Sequence, residues 1–317
     1  MNNNKMFDKP LLAKYVNGNY NVELYSDGTK VRYADVDKFV PEFPECIDVC
    51  ITKQCDGDCP FCYENCTKDG KHGTILVHNT KNTVSLPKWM KSLKKGTELA
   101  FNGNDLSHPD LPMCLELLKD KGVIVNLTVN QKHFEQHYYT LMLWQEMNLI
   151  HGLGISITDA KSDRLYELLP MFKNVVFHVI AGILTIEDIT YLQCVAPKLL
   201  ILGYKNIGRG KSYIKENQEE INQNMEDLKN NLPMMKQYFK VLSFDNLALN
   251  QLDIKNVLFN NNDETWNRFY MGDDGQFTMY IDTVANKYSK NSCMSIKERY
   301  KIDNDMIIQD MFNHIRQ

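Results

Sequence analysis

Cys55, Cys59 and Cys62 stand in the run Cys55-Asp-Gly-Asp-Cys59-Pro-Phe-Cys62-Tyr63, a C-x3-C-x2-C spacing that puts three thiols on one short loop. Three thiolates can ligate three irons of a four-iron, four-sulfur (4Fe-4S) cluster, whereas a fully protein-held cluster takes four, so one iron would stay open to another ligand. Adding Cys66 gives C-x3-C-x2-C-x3-C, and four thiolates also suit a structural zinc ion. Zinc modules commonly pair two knuckles across a longer gap, while here all four would crowd one loop of twelve residues. Disulfides are the least favoured use. The opening Met1-Asn-Asn-Asn-Lys5-Met-Phe-Asp does not read as a secretory signal, and a 317-residue chain needs no covalent staples. The cysteines are read as reduced and the chain as cytoplasmic.

The loop follows the apolar segment Cys46-Ile-Asp-Val-Cys50-Ile51, the first of six expected strands. The others are Thr97–Phe101, Val123–Val129, Leu153–Ile157, Val175–Ile180 and Lys198–Leu202, rich in β-branched and aliphatic residues. Between them, Leu86–Lys95, Pro109–Lys121, His133–Met147, Asp163–Phe172 and Ile186–Cys194 carry helical recurrences of apolar residues. Strict alternation implies parallel crossovers and an α/β fold, with ligands beyond the carboxyl ends of the strands. With 43% hydrophobic residues the chain can bury a sizeable core. No run approaches the roughly 18 apolar residues of a membrane span, so no membrane partner is expected. A formal net charge of −4 argues against a general electrostatic grip on nucleic acid.

The cysteine spacing, with aromatic Phe61 before the third cysteine, resembles the signature of radical S-adenosylmethionine (radical SAM) enzymes. The six strand–helix units extend the resemblance from about Ile47 to Gly210, and imply a partial (β/α)6 barrel of parallel strands with a small terminal β appendage. The division implied is an appendage over 1–45, a barrel over 46–210 and a covering extension over 211–317. In the family, the open iron binds SAM and cleaves it reductively to a 5′-deoxyadenosyl radical. The resemblance therefore implies Cys55, Cys59 and Cys62 as cluster ligands, with a 4Fe-4S cluster and SAM as cofactors. Family members often carry Gly-Gly-Glu after the second strand; this chain has Asn102-Gly103-Asn104-Asp105. Gly103, Asn104 and Asp105 are expected at the SAM ammonium group, with Asn130 after the third strand and Ser156 in the fourth. Ile180 and Gly182 of His178-Val-Ile-Ala-Gly182 are expected at adenine, with Gly203 and Tyr204 after the sixth strand. Asn130 is equally an ordinary turn former, Ser156 a small interior residue, and His178 reads as a hydrogen-bonded core histidine.

The partners implied are an electron donor such as flavodoxin or ferredoxin and an unidentified substrate, a small-molecule or nucleotide-like compound by preference. Alternatives are a radical SAM peptide-modifying enzyme, a barrel that binds SAM without cleaving it, and a zinc-stabilised interaction protein. The basic loop Lys205–Lys211 offers Arg209 for bidentate contact with a substrate carboxylate or phosphate. Lys215–Lys229 reads as a solvent-facing helix. Asn21–Tyr25, Ser26-Asp-Gly28 and Lys30–Tyr33 signal a hairpin, expected to pair with Gln276–Ile281 over the open side of the barrel and to bring Tyr280 or Asp282 near a substrate. Cys46, Cys50, Cys66 and Cys293 are read as small core residues or as ligands of a second cluster.

Overall fold

The computed structural model describes residues 9–78, 83–104, 106–193 and 198–317. At the amino end, β1 (Leu11–Asn17), β2 (Tyr20–Tyr25) and β3 (Lys30–Tyr33) form a separate antiparallel sheet. The β2–β3 turn closes through Gly28, whose φ of +89° suits glycine, and through the Asp27 carboxylate, which accepts from Thr29 N at 3.1 Å.

The main sheet starts with β4 (Cys46–Cys50). A two-stranded ribbon, β5 (Val77–His78) and β6 (Val84–Ser85), and the short helix α1 (Lys88–Lys91) lead to β7 (Glu98–Asn104). Alternation then runs through α2 (Leu111–Asp120), β8 (Ile124–Asn130), α3 (Gln131–Glu146) and β9 (Gly152–Ser156). It continues through α4 (Asp163–Leu168), β10 (Val175–Ile180), α5 (Ile186–Leu192) and β11 (Lys198–Leu202). After α6 (Gly210–Glu216) and α7 (Gln218–Met235) comes β12 (Val241–Phe244). Three short helices, α8 (Asn246–Gln251), α9 (Ile254–Phe259) and α10 (Asp263–Phe269), precede β13 (Thr278–Asp282), β14 (Lys287–Ser289), β15 (Tyr300–Lys301) and the amphipathic α11 (Ile308–Ile315).

The result is an α/β fold around a ten-stranded sheet in the order β12-β11-β10-β9-β8-β7-β4-β13-β14-β15. The first eight strands of that order are mutually parallel, and only the β13–β14 and β14–β15 pairings are antiparallel. All six strands expected from the sequence are present, with β12 added beyond β11 and β13 beyond β4. The pairing of β13 differs from expectation: it joins β4, not the amino-terminal hairpin, because Met279 and Ile281 are buried in the main core. Strands β12 and β13 do not pair, so the ring stays open. Asn246 and Asn291 reach that seam, their amides donating to the two oxygens of Asp274 at 2.8 and 2.6 Å. Helix α7 is not free in solvent either, since Ile221, Leu228, Leu232 and Met235 recur at helical spacing and are buried.

The small sheet closes the end of the barrel opposite the cysteine loop. The β2–β3 turn meets the starts of the strands: His151 Nε2 lies 3.0 Å from Ser26 O, and Lys198 Nζ donates to Asp27 O at 2.6 Å. A buried ion network fastens it. Glu45, wholly buried, accepts from Arg32 Nε and Nη2 at 2.8 and 2.9 Å and from the Tyr20 hydroxyl at 2.5 Å, while Lys30 bridges to Glu98 at 2.7 Å. Burial alone would raise the Glu45 carboxyl, but Arg32's hydrogen bonds and the charges of Lys30 and Arg32 outweigh it and hold it below the usual range. A carboxyl lowered in the folded state contributes stability that is present above its unfolded pKa and lost as pH falls through its folded value. Arg32→Ala removes the fork from this carboxylate, leaving Lys30 at 3.4 Å and the Tyr20 hydroxyl, and is expected to cost about 3 kcal/mol, the low end for breaking a buried pair, read from urea unfolding at neutral pH. The deficit should shrink on acidification, as Glu45 takes up a proton in both proteins.

Candidate functional site

The segment after β4 folds back on itself before it presents its cysteines. Lys53 and Thr67 pair through backbone groups, and Cys55 N donates to Thr67 O at 2.9 Å, so the base of the loop is a clamped ribbon. Ile51 N donates to Asn102 Oδ1 at 2.9 Å, tying the exit of β4 to the end of β7. Two turns follow, in which Cys62 N donates to Cys59 O at 3.2 Å and Asn65 N to Cys62 O at 3.4 Å; Asp58 and Asn65 take the left-handed conformation that Asp and Asn tolerate.

Side chains from three other elements hold the loop. Arg209, after β11, donates from Nε to Cys59 O at 3.0 Å and from Nη1 to Cys66 O at 2.9 Å. The expected substrate-facing role of Arg209 is therefore corrected: its guanidinium fork is spent on carbonyls of the cysteine loop. At the start of α3, His133 Nε2 lies 2.5 Å from Asp56 Oδ1 and Lys132 Nζ 3.2 Å from Asp56 Oδ2. Their hydrogen bonds, His133 first, hold the Asp56 carboxyl down at about 2.

The sulfurs receive hydrogen bonds of their own. Gly57 N donates to Cys55 Sγ at 3.3 Å and Asn130 Nδ2 to Cys59 Sγ at 3.5 Å, while Asn130 Oδ1 caps α3 through Lys132 N. A hydrogen bond with Cys66 is the chief influence that lowers the Cys62 thiol to about 6, against its burial. The same bond, with burial, pushes Cys66 well up. Asn104 also donates to Cys66 Sγ, at 3.4 Å, and to Thr52 O at 3.0 Å. Among the described residues, no three thiols of this loop lie within 4.8 Å of one another, as the ligands of one ion would. Thiolates on separate irons of a cubane stand farther apart, and the donor set fits such a cluster.

One group does gather at that spacing: Cys50, Glu64 and Asp282. Protein cations already occupy it. Lys53 pairs with Glu64 and lies 3.6 Å from Asp282, Arg299 Nη1 lies 3.1 Å from Asp282, and the Tyr280 hydroxyl donates to Glu64 at 2.9 Å. Asp282 is thereby a buried structural anion, not the substrate neighbour expected of it.

Inside the sheet lies a cavity of about 530 Å³. Alternate residues of each strand face it, as the pleat requires: Asp48 and Cys50, Ala100 and Asn102, Asn126 and Thr128, and on β10 Val176, His178 and Ile180. His178 is corrected from core residue to cavity wall. Its ring fills the space over Gly154, where an added Cβ would meet Cε1 at 2.6 Å, and burial lowers the imidazole to about 4, leaving it neutral.

The residues singled out from sequence fall into groups. Phe61, Ile180, Gly203 and Tyr204 line the cavity, with Gly203 N donating to Asp245 at 2.9 Å and the Tyr204 hydroxyl to Gly210 O at 2.7 Å. Phe61 also meets Tyr213 edge-on at 5.7 Å. Ser156 stands in register between Asn130 and His178, at the level of the sheet where Asn130 meets Cys59. Gly103 lies at the register shift near the end of β7, beside Asn104. Gly182 faces α7: its φ is +86°, and an added Cβ would come 2.8 Å from Ile221. Asp105 lies outside the described residues. Lys205, unremarked in sequence except as part of a basic loop, also lines the cavity, bonded to Ser292 Oγ at 2.8 Å and 3.8 Å over the ring of Tyr63.

No protein-family model matches the sequence, and no curated protein is similar to it. Among solved structures, the fold is similar to that of Streptococcus suis SuiB bound to precursor peptide SuiA, with a TM-score of 0.54 and 13% identity over 87% of this chain and 67% of that one. The likeness is one of fold. Among the described residues, no helix is long and apolar enough to cross a membrane.

Proposed function

We propose that this chain is a radical SAM enzyme. The observation that carries the reading is the loop of Cys55, Cys59 and Cys62, latched by Arg209, His133 and Asn130 beyond the carboxyl end of a parallel strand and beside an internal cavity. A 4Fe-4S cluster on these cysteines, with SAM on its open iron, would supply a 5′-deoxyadenosyl radical that abstracts a substrate hydrogen. The chain's own contribution is positional. Gly57 N and the Asn130 amide donate to the sulfurs of Cys55 and Cys59, and Cys66 bonds to Cys62 from outside the assigned ligand set. Ile180, Gly203, Tyr204 and Phe61 form an apolar and backbone-rich wall suited to adenine. Ser156 and Asn130 are assigned to the polar parts of SAM, and Gly103 with Asp105 to its ammonium group. Asn104 and Gly182 are assigned to the framework, because their visible contacts are with the cysteine loop and α7. Reduction is assigned to an external donor of the flavodoxin or ferredoxin kind.

A peptide substrate is supported by the fold's similarity to SuiB, a protein seen with its precursor peptide. The reading of a small metabolite rests on the cavity's size, which lies within the range of small-molecule sites. Anaerobic reconstitution with iron and sulfide, then SAM and dithionite, should yield 5′-deoxyadenosine. A reducible cluster that gives none, with or without peptide and metabolite fractions from the host, would overturn the enzymatic reading. Stimulation by one fraction alone would choose between the substrates.

A further inference from the structure

The cavity holds a charge that the mechanism above does not use. Asp48, at the centre of β4, faces the cavity beside Tyr280 on one neighbouring strand and Ala100 on the other. Among the described residues it makes no hydrogen bond or ion pair. It lies deep in the protein yet is open to water through the cavity, and Ala100 leaves room beside it. Four further carboxylates line the same space; Asp27 pairs with Lys9 and Glu98 with Lys30. Asp245 is engaged by the backbone amides of Gly203 and Ala248 at 2.9 and 2.7 Å, and Asp274 by the amides of Asn246 and Asn291.

Lys205 is the cation nearest in influence to all of this, but it is held by Ser292 and Tyr63 and forms no ion pair with Asp48 within 4.0 Å. The other cavity-lining lysines, Lys198 and Lys290, stand elsewhere: Lys198 is bonded to Asp27 O at the floor, and Lys290 packs its stem beside Gly275. Burial raises the Asp48 carboxyl to about 6, with Lys205 lowering it and Asp245 and Asp274 each raising it by less. The cavity wall carries five carboxylates, Asp27, Asp48, Glu98, Asp245 and Asp274, against three lysines, Lys198, Lys205 and Lys290.

We propose that Asp48 is the recognition residue for a cationic group of the substrate, an ammonium or guanidinium that enters the cavity and pairs with its carboxylate. The inference rests on the reading of this cavity as the substrate site. It adds a chemical class: a molecule or peptide side chain bearing a positive charge near the hydrogen to be removed. An ammonium fits a lone carboxylate among oxygen acceptors, and Lys205, fixed at one side, repels a cation from any other seat and suits a carbonyl or carboxylate on the same substrate.

The test uses the full-length chain and needs no catalysis. Binding of lysinamide, of its uncharged analogue norleucinamide acetylated at nitrogen, and of glutarate is measured by ligand-observed NMR on wild type, Asp48→Asn and Asp48→Ala. Wild type should prefer lysinamide, and Asp48→Asn, which keeps the shape and removes the charge, should bind it roughly ten- to hundredfold more weakly. Circular dichroism and thermal melting check that both variants are folded. Lysinamide binding unchanged in folded Asp48→Asn, or a wild-type preference for the neutral or anionic probe, would overturn the proposal. Deoxyadenosine formation, measured separately, reports on the enzymatic reading: a cation site without SAM cleavage would leave Asp48's role intact and remove the radical chemistry, and the converse result would do the reverse.

Discussion

Cys59→Ala should retain no 4Fe-4S cluster after anaerobic reconstitution, while Cys66→Ala should retain one. Spacing alone offers four thiols in a C-x3-C-x2-C-x3-C run, of which the resemblance implies Cys55, Cys59 and Cys62 as ligands. The structure separates them by their partners. Cys66 is buried and bonded to Cys62 and to the Asn104 amide, whereas Cys59 is only half-buried, with its thiol raised by burial, and receives the Asn130 amide. Cys66 is therefore assigned as a support and not a fourth ligand. Iron and acid-labile sulfide per chain, with the spectrum of the reduced protein, provide the measurement. Equal loss in both variants would point to a four-thiolate site, and zinc in anaerobically purified protein would then be the next thing to assay.

Arg209→Ala should loosen the cluster without removing a ligand. Its two hydrogen bonds join the carbonyls of Cys59 and Cys66 to the segment after β11, and Arg209 N also donates to Cys62 O at 3.1 Å. Loss of partners that orient metal ligands typically weakens metal retention by about 10–100-fold, and the same range is expected here for the rate of iron loss to a chelator. Arg209→Lys should recover only part, because an ammonium lacks the planar fork that reaches two carbonyls at once. Wild-type iron retention in Arg209→Ala would show that the backbone ribbon at Lys53 and Thr67 holds the loop unaided.

The six central strands were legible because each is a short β-branched or aliphatic run set between helical recurrences. Strand β12 was not: Val241-Leu-Ser-Phe244 has four residues, and its partner β11 is what makes it a strand. The cysteine triplet was legible from its spacing, but the hold of Arg209 on it was not, since its contacts lie 150 and 143 residues away in the chain. His178 shows a narrower limit. Its neighbours Phe177 and Val179 are both apolar and buried, which identifies a strand interior, yet strand parity puts His178 on the other face, with Val176 and Ile180. Sequence gives the parity; only the curvature of the sheet says which face encloses a cavity. Asp48 was hidden in the same way, as the one acid within an apolar strand whose interior face could not be known from Cys46–Cys50 alone.

The floor of the cavity is made by the chain's own beginning. Asp27 and Gly28, at the tip of the first hairpin, are among its lining residues, and the Glu45–Arg32 network fixes them there. The cavity is thus floored by an amino-terminal sheet that contributes none of the loop cysteines. Cutting the hairpin away would open the cavity from below, admitting water to a space that, on the proposed reading, must shield a radical from every hydrogen but one.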